Sequence, residues 1–430
     1  MTNKKKTIFS KILMRFRLLI KGDESYESLL DISKSYEKLL NISNKRLFEL
    51  QVQKEKEVRI NKRLLKFVSK RNAELIIIND QDPEIKTRKE TKTLCFSDIR
   101  NFTHISELLG DDLGPFLASY YKKIAAPIID QKGEIHSYIG DAVFSTFDEC
   151  YPAVIAAIDS RYKLNSFNRK RLAYNYSGKE KIEIVTNGIG ISTGESYIGN
   201  IGFEKKMSDT VIGRYVNLAN RLEKLTKAYN VPILIDENTL KGIPQDNLFS
   251  NHLDKNYLDN IPKIFSIIKE NTNNKNIFAR EVGTVVPKGL QKKVKIYEIM
   301  NSYSIPMIAL KSIFLSQYKN ILHNEFNCPE AKTIKGQLQS LTEAKENFIE
   351  LQKQFQKYFF LIEDENRKYN NLPALTESDK IKMSDNDADK DFIISRKIQV
   401  TDKILNMMHA NPAYFEENPW QGIESFNAHE

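Results

Sequence analysis

Two aspartates at predicted strand ends are the first candidates for chemistry. Asp98 closes the apolar run TLCFSD, and Asp141 follows a glycine in EIHSYIGDAVF, whose β-branched and aromatic residues predict two short strands joined by a tight turn. An acid at the edge of an apolar sheet is costly unless it is solvated, paired or bound to a metal ion. Two acids converging from adjacent strands would suit hard divalent ions that also hold nucleotide phosphates. On spacing alone, an aspartate in a turn is more often an ordinary turn residue.

A second candidate pair lies further along the chain. Asn217 and Arg221 are four residues apart in VNLANR, within a segment whose pattern predicts a helix. Residues at this spacing share one helical face and can act on a shared target. Arg221 taken alone would be an ordinary surface cation that forms a salt bridge.

The elements that must position these residues alternate between strand and helix. Strands are predicted at 93–99, 182–193, 195–202, 231–236 and 293–300, a hairpin at 134–147, helices at 106–130 and 151–168, and a strand, turn and helix over 208–229. Such a mixture predicts one α+β domain around a single sheet, which we assign to residues 92–302.

Helical patterns flank this domain on both sides. Residues 26–78 predict a long helix, which either pairs with a second copy as a coiled coil or lies on the next domain as a monomer. A polar linker follows at 79–91. Residues 303–430 predict a helical C-terminal region, with a flexible, solvated stretch near 373–391 that is rich in Asp, Ser and Lys.

The positive charge of the chain is concentrated at its start. Of the net charge of +9, seven charges come from lysines and arginines within residues 1–22, where no acid occurs. The remainder is close to neutral, which argues against a nucleic-acid groove spread over the protein. Residues 1–25 form a basic amphipathic segment that predicts either a helix on an anionic membrane surface or the start of a helix that packs on a partner.

The cysteines and the hydropathy indicate the compartment. The three cysteines form no CxxC pair and no even framework, which fits a reducing cytosol. No apolar run reaches the ~20 residues that a membrane-spanning helix needs. We therefore expect a cytoplasmic protein, with residues 1–22 as a candidate contact to the inner face of the membrane.

Four motifs in order carry a family resemblance. They are FSDIRNFTHIS (96–106), GEIHSYIGDAVFSTF (133–147), TNGIGISTGESYIGNIG (186–202) and MSDTVIGRYVNLANRLE (207–223). Together they resemble the catalytic domain of class III nucleotidyl cyclases, the adenylyl and guanylyl cyclases, from about residue 90 to residue 300. The resemblance implies a ferredoxin-like cyclase domain, and it does not extend to the helical C-terminal region.

The resemblance implies a role for each candidate residue. Asp98, Asp141 and the backbone carbonyl of Ile99 match the ligands of two Mg²⁺ or Mn²⁺ ions per site. Asn217 and Arg221 match the catalytic pair that orients the ribose and stabilises charge on the α-phosphate.

Further positions match residues that bind the substrate. Phe102 and Thr103 match a turn whose backbone N–H groups cradle phosphates. Lys206 falls where many bacterial members carry a phosphate-binding cation. Lys288 is a weaker candidate for the same task, because a Lys-Gly before a strand is also ordinary turn chemistry.

Two positions choose the base in this family, and they disagree here. Thr210 fits the bacterial adenylyl type, whereas Ser137 fits neither the Lys of adenylyl cyclases nor the Glu of guanylyl cyclases. A hydroxyl can donate to adenine or accept from guanine, and it is too short to reach as Lys would. Arg214 also departs from the family, because it replaces the Asp usually found before VN. Whether these two changes lower activity is open at this point.

The leading hypothesis is an adenylate cyclase that converts ATP to 3′,5′-cyclic AMP and pyrophosphate in intracellular signalling. The alternatives are a catalytically weak or inactive module that binds nucleotide or a partner, and a guanylate cyclase. In this family one domain supplies the aspartates and another supplies the Asn and Arg. A chain with one such domain therefore implies a head-to-tail homodimer with two equivalent sites. The sequence names neither the activating signal nor the regulatory partner of the C-terminal helices.

Overall fold

The chain divides into two compact units, residues 1–84 and residues 85–430. The structure, a computed structural model, describes residues 23–64, 70–73, 86–174, 184–203, 206–250, 253–287, 292–327, 333–370, 372–380, 391–417 and 420–425. The basic segment 1–22, with its predicted membrane contact, lies outside the described residues.

The described residues of the first unit are helical. Helix α1 spans Asp23–Leu64 and helix α2 spans Lys70–Ala73. The structure therefore confirms the long N-terminal helix. Large apolar side chains of α1 are exposed within this unit, among them Ile32, Tyr36, Leu39, Leu47 and Leu50. A row of exposed apolar residues on a long helix is what a partner helix would cover.

The second unit is built on one mixed sheet. Its strands are β1 Thr87–Ile99, β2 Glu134–Ile139, β3 Ala142–Phe147, β4 Asn187–Phe203, β5 Lys206–Ile212, β6 Ile233–Asp236, β7 Ala279–Val286, β8 Val294–Ile299 and β9 Ile423–Ser425. Among the described residues the strand order is β2-β3-β1-β4-β6-β8-β7-β9, with β5 paired to β4. The pairs β4–β6 and β7–β9 are parallel, and the others are antiparallel.

Helices cover both faces of this sheet, which confirms the predicted α+β class. They are α3 Phe102–Leu109, α4 Leu113–Asp130, α5 Cys150–Tyr174, α6 Arg214–Ala228, α7 Glu237–Lys241, α8 Ile261–Asn273, α9 Ile305–Ile313, α10 Leu315–Asn320, α11 Ile334–Tyr369, α12 Phe392–Ala410 and α13 Pro412–Glu417. Short 3₁₀ turns lie at Gly110–Asp112, Gln245–Asn247, Lys255–Asn260 and Met300–Ser302, and a π-helical turn at Ile321–Phe326. Among the described residues, no helix combines the length and hydropathy that crossing a membrane requires.

Alternation along β1 separates two hydrophobic cores. Leu94 and Phe96 join one core, which includes Ala219 of α6. Cys95 and Ile99 point to the opposite face, into a core built with α4 and α5. Successive strand residues face opposite sides of a sheet, so this central strand is buried on both faces. Its end is thereby fixed in position, and Asp98 lies at that end.

Two glycines of β4 allow α6 to lie directly on the sheet. A Cβ atom at Gly188 would lie 2.2 Å from Oγ1 of Thr226, and one at Gly190 would lie 2.1 Å from the backbone nitrogen of Glu223. Any side chain there would push the helix away. The glycines in the NGIGIS segment therefore set the distance between α6 and the sheet.

The C-terminal helices complete a third and larger core. Leu218 and Leu222 of α6 are buried in it together with Phe348 of α11 and Met408 of α12. Strand β9 extends the sheet beside β7. The C-terminal region thus packs against the helix that carries Asn217 and Arg221. The division predicted at residue 302 rests on the extent of the resemblance and stays a prediction.

Buried charges tie the C-terminal region to the sheet. Arg280 of β7 lies 2.7 Å from a carboxylate oxygen of Glu298 in β8 and 2.6 Å from one of Asp391. Lys311 of α9 donates to Glu298 at 2.9 Å. Asp391 also caps α12, because it accepts from the backbone N–H groups of Ile393 and Ile394.

A second buried pair lies at the end of α6. Lys397 of α12 pairs with Glu424 of β9. The hydroxyl of Tyr229, the residue after α6, donates to the same carboxylate at 2.7 Å. All three side chains are buried. Burying a charge is tolerated only with such partners, so these contacts join β9 and α12 firmly to α6.

Candidate active site

The structure brings the two predicted aspartates together. Ser97 of β1 pairs with Val143 of β3, and Asp141 lies in the turn just before β3. This register places Asp141 beside the end of β1, where the Ile99 N–H donates to its Oδ2 at 3.1 Å. The turn is held by Gly140, whose φ of +63° favours glycine.

The carboxyl group of Asp98 is partly buried in an environment of like charge. Burial, contact with the side chain of Asp141 and the nearby Glu223 raise the pKa of Asp98 to about 8. Among the described residues, its buried Oδ1 has no hydrogen-bond partner. An orphaned acidic oxygen beside a second carboxylate fits a divalent cation, which takes oxygen ligands.

These acids are a pair rather than a cluster. Among the described residues, no group of three or more His, Cys, Asp or Glu side chains is arranged to hold a metal ion. A cation at Asp98 and Asp141 would therefore need further oxygens, from backbone, water or phosphate.

Glu223 is an acid of this region that the sequence reasoning missed. It lies in α6 beneath β4 and is buried. Burial raises its pKa to about 7, although Arg100 opposes the shift. Arg100 is itself fixed, because its guanidinium donates to the carbonyls of Thr226 and Val231 at 2.9 and 2.7 Å. The available signal was its place among Ala219, Leu222 and Thr226 on a helical face that the pattern predicts to be buried.

The start of α3 offers backbone donors next to the acid pair. Asn101 adopts a left-handed conformation with φ of 56°, and its side chain makes no capping hydrogen bond. The first N–H groups of a helix have no partner within it. The backbone at Phe102 and Thr103 therefore suits an anion, as the sequence predicted for phosphates.

Asn217 and Arg221 both lie in α6, in the helix that the sequence predicted. Asn217 is exposed, and Arg221 is half-buried. The buried Nη1 of Arg221 has no hydrogen-bond partner among the described residues. Arg221 is not among the charged groups that shift the pKa of Asp98. Among the described residues of one chain, no hydrogen bond or ion pair joins Asn217 or Arg221 to either aspartate.

The two base-selecting positions lie on strands that approach each other. Ser137 lies in β2 and Thr210 in β5, and both residues are half-buried. These strands are neighbours in space, and Asp209 of β5 acts electrostatically on His136 of β2. A bulge in β2 falls between Ile135 and Ser137, at His136.

His136 is a second residue that the sequence reasoning passed over. Its Nε2 lies 2.8 Å from the hydroxyl of Thr146. Burial lowers its pKa, although Glu134 and Asp209 oppose the shift. Through its contact with Thr146, His136 links the bulged part of β2 to β3, next to Ser137.

The two predicted phosphate-binding lysines have different outcomes. Lys206 begins β5, where it pairs with Phe203 and is exposed. Nothing in the described contacts links it to the aspartates, so its role stays a prediction. Lys288 lies outside the described residues.

Residues 85–254 match the family model described as the adenylate and guanylate cyclase catalytic domain. The chain therefore contains a class III nucleotidyl cyclase catalytic domain, as the four motifs predicted.

Two curated relatives are adenylate cyclases. The chain is 36% identical over 163 residues to an adenylate cyclase of Anabaena cylindrica. This alignment covers 37% of this chain and 32% of the relative. It is also 31% identical over 235 residues to the terminal-differentiation specific adenylate cyclase of Dictyostelium discoideum. This second alignment covers 53% of this chain and 9% of the relative. The chain thus spans only a minor part of either relative.

Solved cyclase structures are also similar. A bacterial light-regulated adenylyl cyclase is 19% identical with a TM-score of 0.45, over 60% of this chain and 67% of that chain. The adenylyl cyclase CyaB from P. aeruginosa is 26% identical with a TM-score of 0.37, and the match covers 50% of this chain and 96% of that chain. The guanylyl cyclase Cya2 is 26% identical with a TM-score of 0.38, and the match covers 49% of this chain and 92% of that chain.

Proposed function

We propose that this protein is an adenylate cyclase, which converts ATP to 3′,5′-cyclic AMP and pyrophosphate in intracellular signalling. The observation that carries the proposal is a pair of complementary, unpartnered groups. Asp98 presents a buried acidic oxygen beside Asp141, and Arg221 presents a buried guanidinium nitrogen on α6. A metal–triphosphate complex would supply a cation as the partner of the carboxylate and an anion as the partner of the guanidinium.

Asp98 and Asp141, with the backbone carbonyl of Ile99, would hold two Mg²⁺ or Mn²⁺ ions. When bound, such ions lower the pKa of a coordinated hydroxyl and offset charge on phosphate oxygens. The pair fits this task because its like charges raise the pKa of Asp98 while no described basic side chain forms an ion pair with it. Hydroxyl-to-phosphate attack needs little covalent help from protein, so positioning is the main task of the remaining residues.

The chain's own residues supply that positioning. Asn217 would orient the ribose, and Arg221 would stabilise negative charge on the α-phosphate through its fork of donors. The N–H groups at Phe102 and Thr103 would hold phosphate oxygens. Both sets stand on rigid elements, since β1 is buried on two faces and α6 rests on β4.

We propose that the active unit is a head-to-tail homodimer. The proposal is supported by the family resemblance, in which one domain supplies the aspartates and another supplies the Asn and Arg. It also fits the absence of any described hydrogen bond or ion pair between the two halves in one chain. A second copy would bring its α6 to the aspartates of the first, giving two equivalent sites. The exposed apolar residues of α1 could form the seam of such a dimer. We also expect the protein to act in the cytoplasm, because its cysteines suit a reducing compartment.

The alternatives to an adenylate cyclase rest on Ser137 and Arg214. The short side chain of Ser137 leaves the choice between ATP and GTP to other groups, so a guanylate cyclase is the second enzyme candidate. A catalytically weak module that binds nucleotide or a partner is the third candidate, because Arg214 also departs from the family.

The test is a cyclase assay with ATP and GTP in parallel, each with Mg²⁺ or Mn²⁺. Cyclic AMP should form from ATP, and Asp98→Ala and Asp141→Ala should each abolish it. Asp111→Ala is the matched control, because this exposed acid lies near α3 and outside the site. Folded protein that makes no cyclic nucleotide from either substrate would exclude the proposal, and cyclic GMP as the main product would favour the guanylate cyclase.

A further inference from the structure

A pocket of about 310 Å³ lies between the first turn of α6, the start of α7 and the start of β8. None of its lining residues belongs to the candidate active site. The lining comprises four basic residues, two acids, an amide, a tyrosine and two apolar residues: Arg214, Tyr215, Leu218, Asp236, Glu237, Asn238, Lys292, Lys293, Val294 and Lys295.

The two acids of this pocket already have partners. The carboxylate of Asp236 is buried and accepts from the Ser192 hydroxyl at 2.7 Å and from the Thr239 N–H at 2.9 Å. The carboxylate of Glu237 lies 3.1 Å from the ammonium of Lys241, one turn along α7. Neither acid is therefore committed to the basic residues of the pocket.

Of the four basic residues, Lys295 lies 3.8 Å from a carboxylate oxygen of Glu281, whereas Arg214 and Lys293 contact neutral groups. The guanidinium of Arg214 stacks 4.5 Å from the centroid of the Tyr215 ring and donates to its hydroxyl at 2.6 Å. Lys293 donates to the amide oxygen of Gln421. Among the described residues, no carboxylate lies within 4.0 Å of Arg214, Lys292 or Lys293. Within the described part of the chain, three cations of the pocket therefore have no carboxylate partner, and the four basic residues outnumber the two acids of the lining.

We propose that this pocket binds a small phosphate-bearing anion. Three cations without a carboxylate partner attract such a ligand, and the planar fork of Arg214 matches two phosphate oxygens. Tyr215, Leu218 and Val294 add a partly apolar wall beside these exposed cations, against which a ligand can pack. The volume lies at the low end of small-molecule pockets, about 300–1,000 Å³, so the ligand is a pyrophosphate or a nucleoside monophosphate rather than a peptide.

The proposal does not depend on catalysis and is tested without it. Calorimetric titrations in EDTA would use metal-free full-length protein, with pyrophosphate and AMP as the two probes. At least one probe should bind saturably. Tighter binding of pyrophosphate would indicate a free phosphate as the ligand, and tighter binding of AMP would indicate a nucleoside phosphate. The double charge reversal Arg214→Glu with Lys292→Glu should weaken binding by tenfold or more. Lys263→Glu is the matched control, because it reverses an exposed charge on α8.

Other variants separate this pocket from the candidate active site. Arg221→Ala and Asp98→Ala proteins should bind the probes as the unmodified chain does, whether or not the chain has cyclase activity. Failure of the unmodified chain to bind either probe at millimolar concentration would overturn the proposal. So would binding that survives the double charge reversal, or binding that Arg221→Ala abolishes.

Discussion

At the scale of single residues, the candidate site is defined by groups that are costly to bury alone. Asp98 has an unpartnered acidic oxygen, Arg221 has an unpartnered guanidinium nitrogen, and Glu223 is a buried acid with a raised pKa. Shifted pKa values and unsatisfied polar atoms concentrate at functional sites because a ligand supplies the missing partner. In this chain Asp98 and Glu223 lie near the point where β1 ends, whereas the half-buried Arg221 lies in α6.

The acid pair predicts a metal-dependent gain in stability. Mg²⁺ or Mn²⁺ at about ten times its dissociation constant should raise the free energy of unfolding by ~1.4 kcal/mol. Asp98→Asn and Asp141→Asn should remove this gain, because each removes an ionised ligand. Thermal unfolding with and without EDTA measures it. Asp112→Asn, an exposed control, should keep the gain, and an equal gain in all variants would contradict a site at this pair.

Ser137 predicts a relaxed choice of base. Ser137→Lys should raise the preference for ATP over GTP, measured as the ratio of kcat/KM, by a factor on the order of ten, since one new hydrogen bond to the base contributes ~1.4 kcal/mol. Ser137→Glu should shift the ratio toward GTP. Ser250→Lys is the control, because this exposed serine lies outside the strand pair and outside the candidate site. Unchanged ratios in both Ser137 variants would show that this position does not read the base.

The candidate residues differ in how far the sequence could reveal them. Asp98 and Asp141 were proposed because the motifs around them resemble a family whose aspartates bind metal, since their position at strand ends alone also fits ordinary turn residues. Glu223 was harder to assign, since the helical pattern marks its face as buried but its closeness to Asp98 depends on how α6 packs on β4. His136 was also hidden, because the bulge depends on the register between β2 and β3.

At the scale of elements, the packing of α6 on β4 positions half of the candidate site. The sequence predicted both elements, but it placed a break in β4 near Gly194. The structure has one strand over Asn187–Phe203. A Cβ atom at Gly194 would lie 2.1 Å from the ring of Tyr215. This glycine therefore makes room for a side chain of α6 rather than turning the backbone, and such a long-range reason is not visible in local sequence.

Gly190→Ala tests this contact. A methyl group there would meet the backbone of α6, so the free energy of unfolding should fall by about 1–3 kcal/mol and any cyclase activity should fall with it. Urea unfolding and the cyclase assay measure the two effects. Gly114→Ala is the matched control, because nothing lies within 4 Å of its added Cβ in α4. Equal stability of the two variants would contradict close packing at Gly190.

At the scale of the whole molecule, the C-terminal region is part of the folded unit that carries the candidate site. Its helices share a core with α6, and Asp391 and Glu424 bury their charges against Arg280 and Lys397. The sequence predicted helices here but not this attachment. Asp391 falls in a stretch predicted to be flexible near 373–391, because its polar composition conceals the buried partner, Arg280. Of that stretch the structure describes 373–380 and residue 391, so its flexibility stays a prediction.

Asp391→Asn should therefore destabilise the protein strongly. It leaves Arg280 with one buried carboxylate fewer, and breaking a buried ion pair costs about 3–5 kcal/mol. Urea unfolding at pH 7 measures the change. Glu377→Gln, which removes an exposed partner of Lys380, should change the free energy of unfolding by less than about 1 kcal/mol. A small effect of Asp391→Asn would mean that the cluster is not formed.

The same cluster predicts that the free energy of unfolding falls at low pH. Burial opposes the ionisation of Asp391 and Glu298, yet Arg280 and Lys311 hold the pKa of both below the usual value. A lowered folded-state pKa stabilises the protein above the unfolded value of about 4, and this contribution is lost as the pH falls through the folded pKa. Unfolding free energy should thus drop below about pH 4 in the unmodified chain, and less so in Asp391→Asn. Equal acid sensitivity would contradict this origin.

Complementation between two inactive variants tests the shared site most directly. Asp98→Ala and Asn217→Ala proteins should each be inactive alone. In a co-expressed equimolar mixture, half of the dimers would be mixed and each would hold one intact site, so cyclic AMP formation should recover to about a quarter of the unmodified rate. Cyclic AMP per milligram of dimeric protein is the measurement. No recovery in verified mixed dimers would contradict a cyclase site built from two chains.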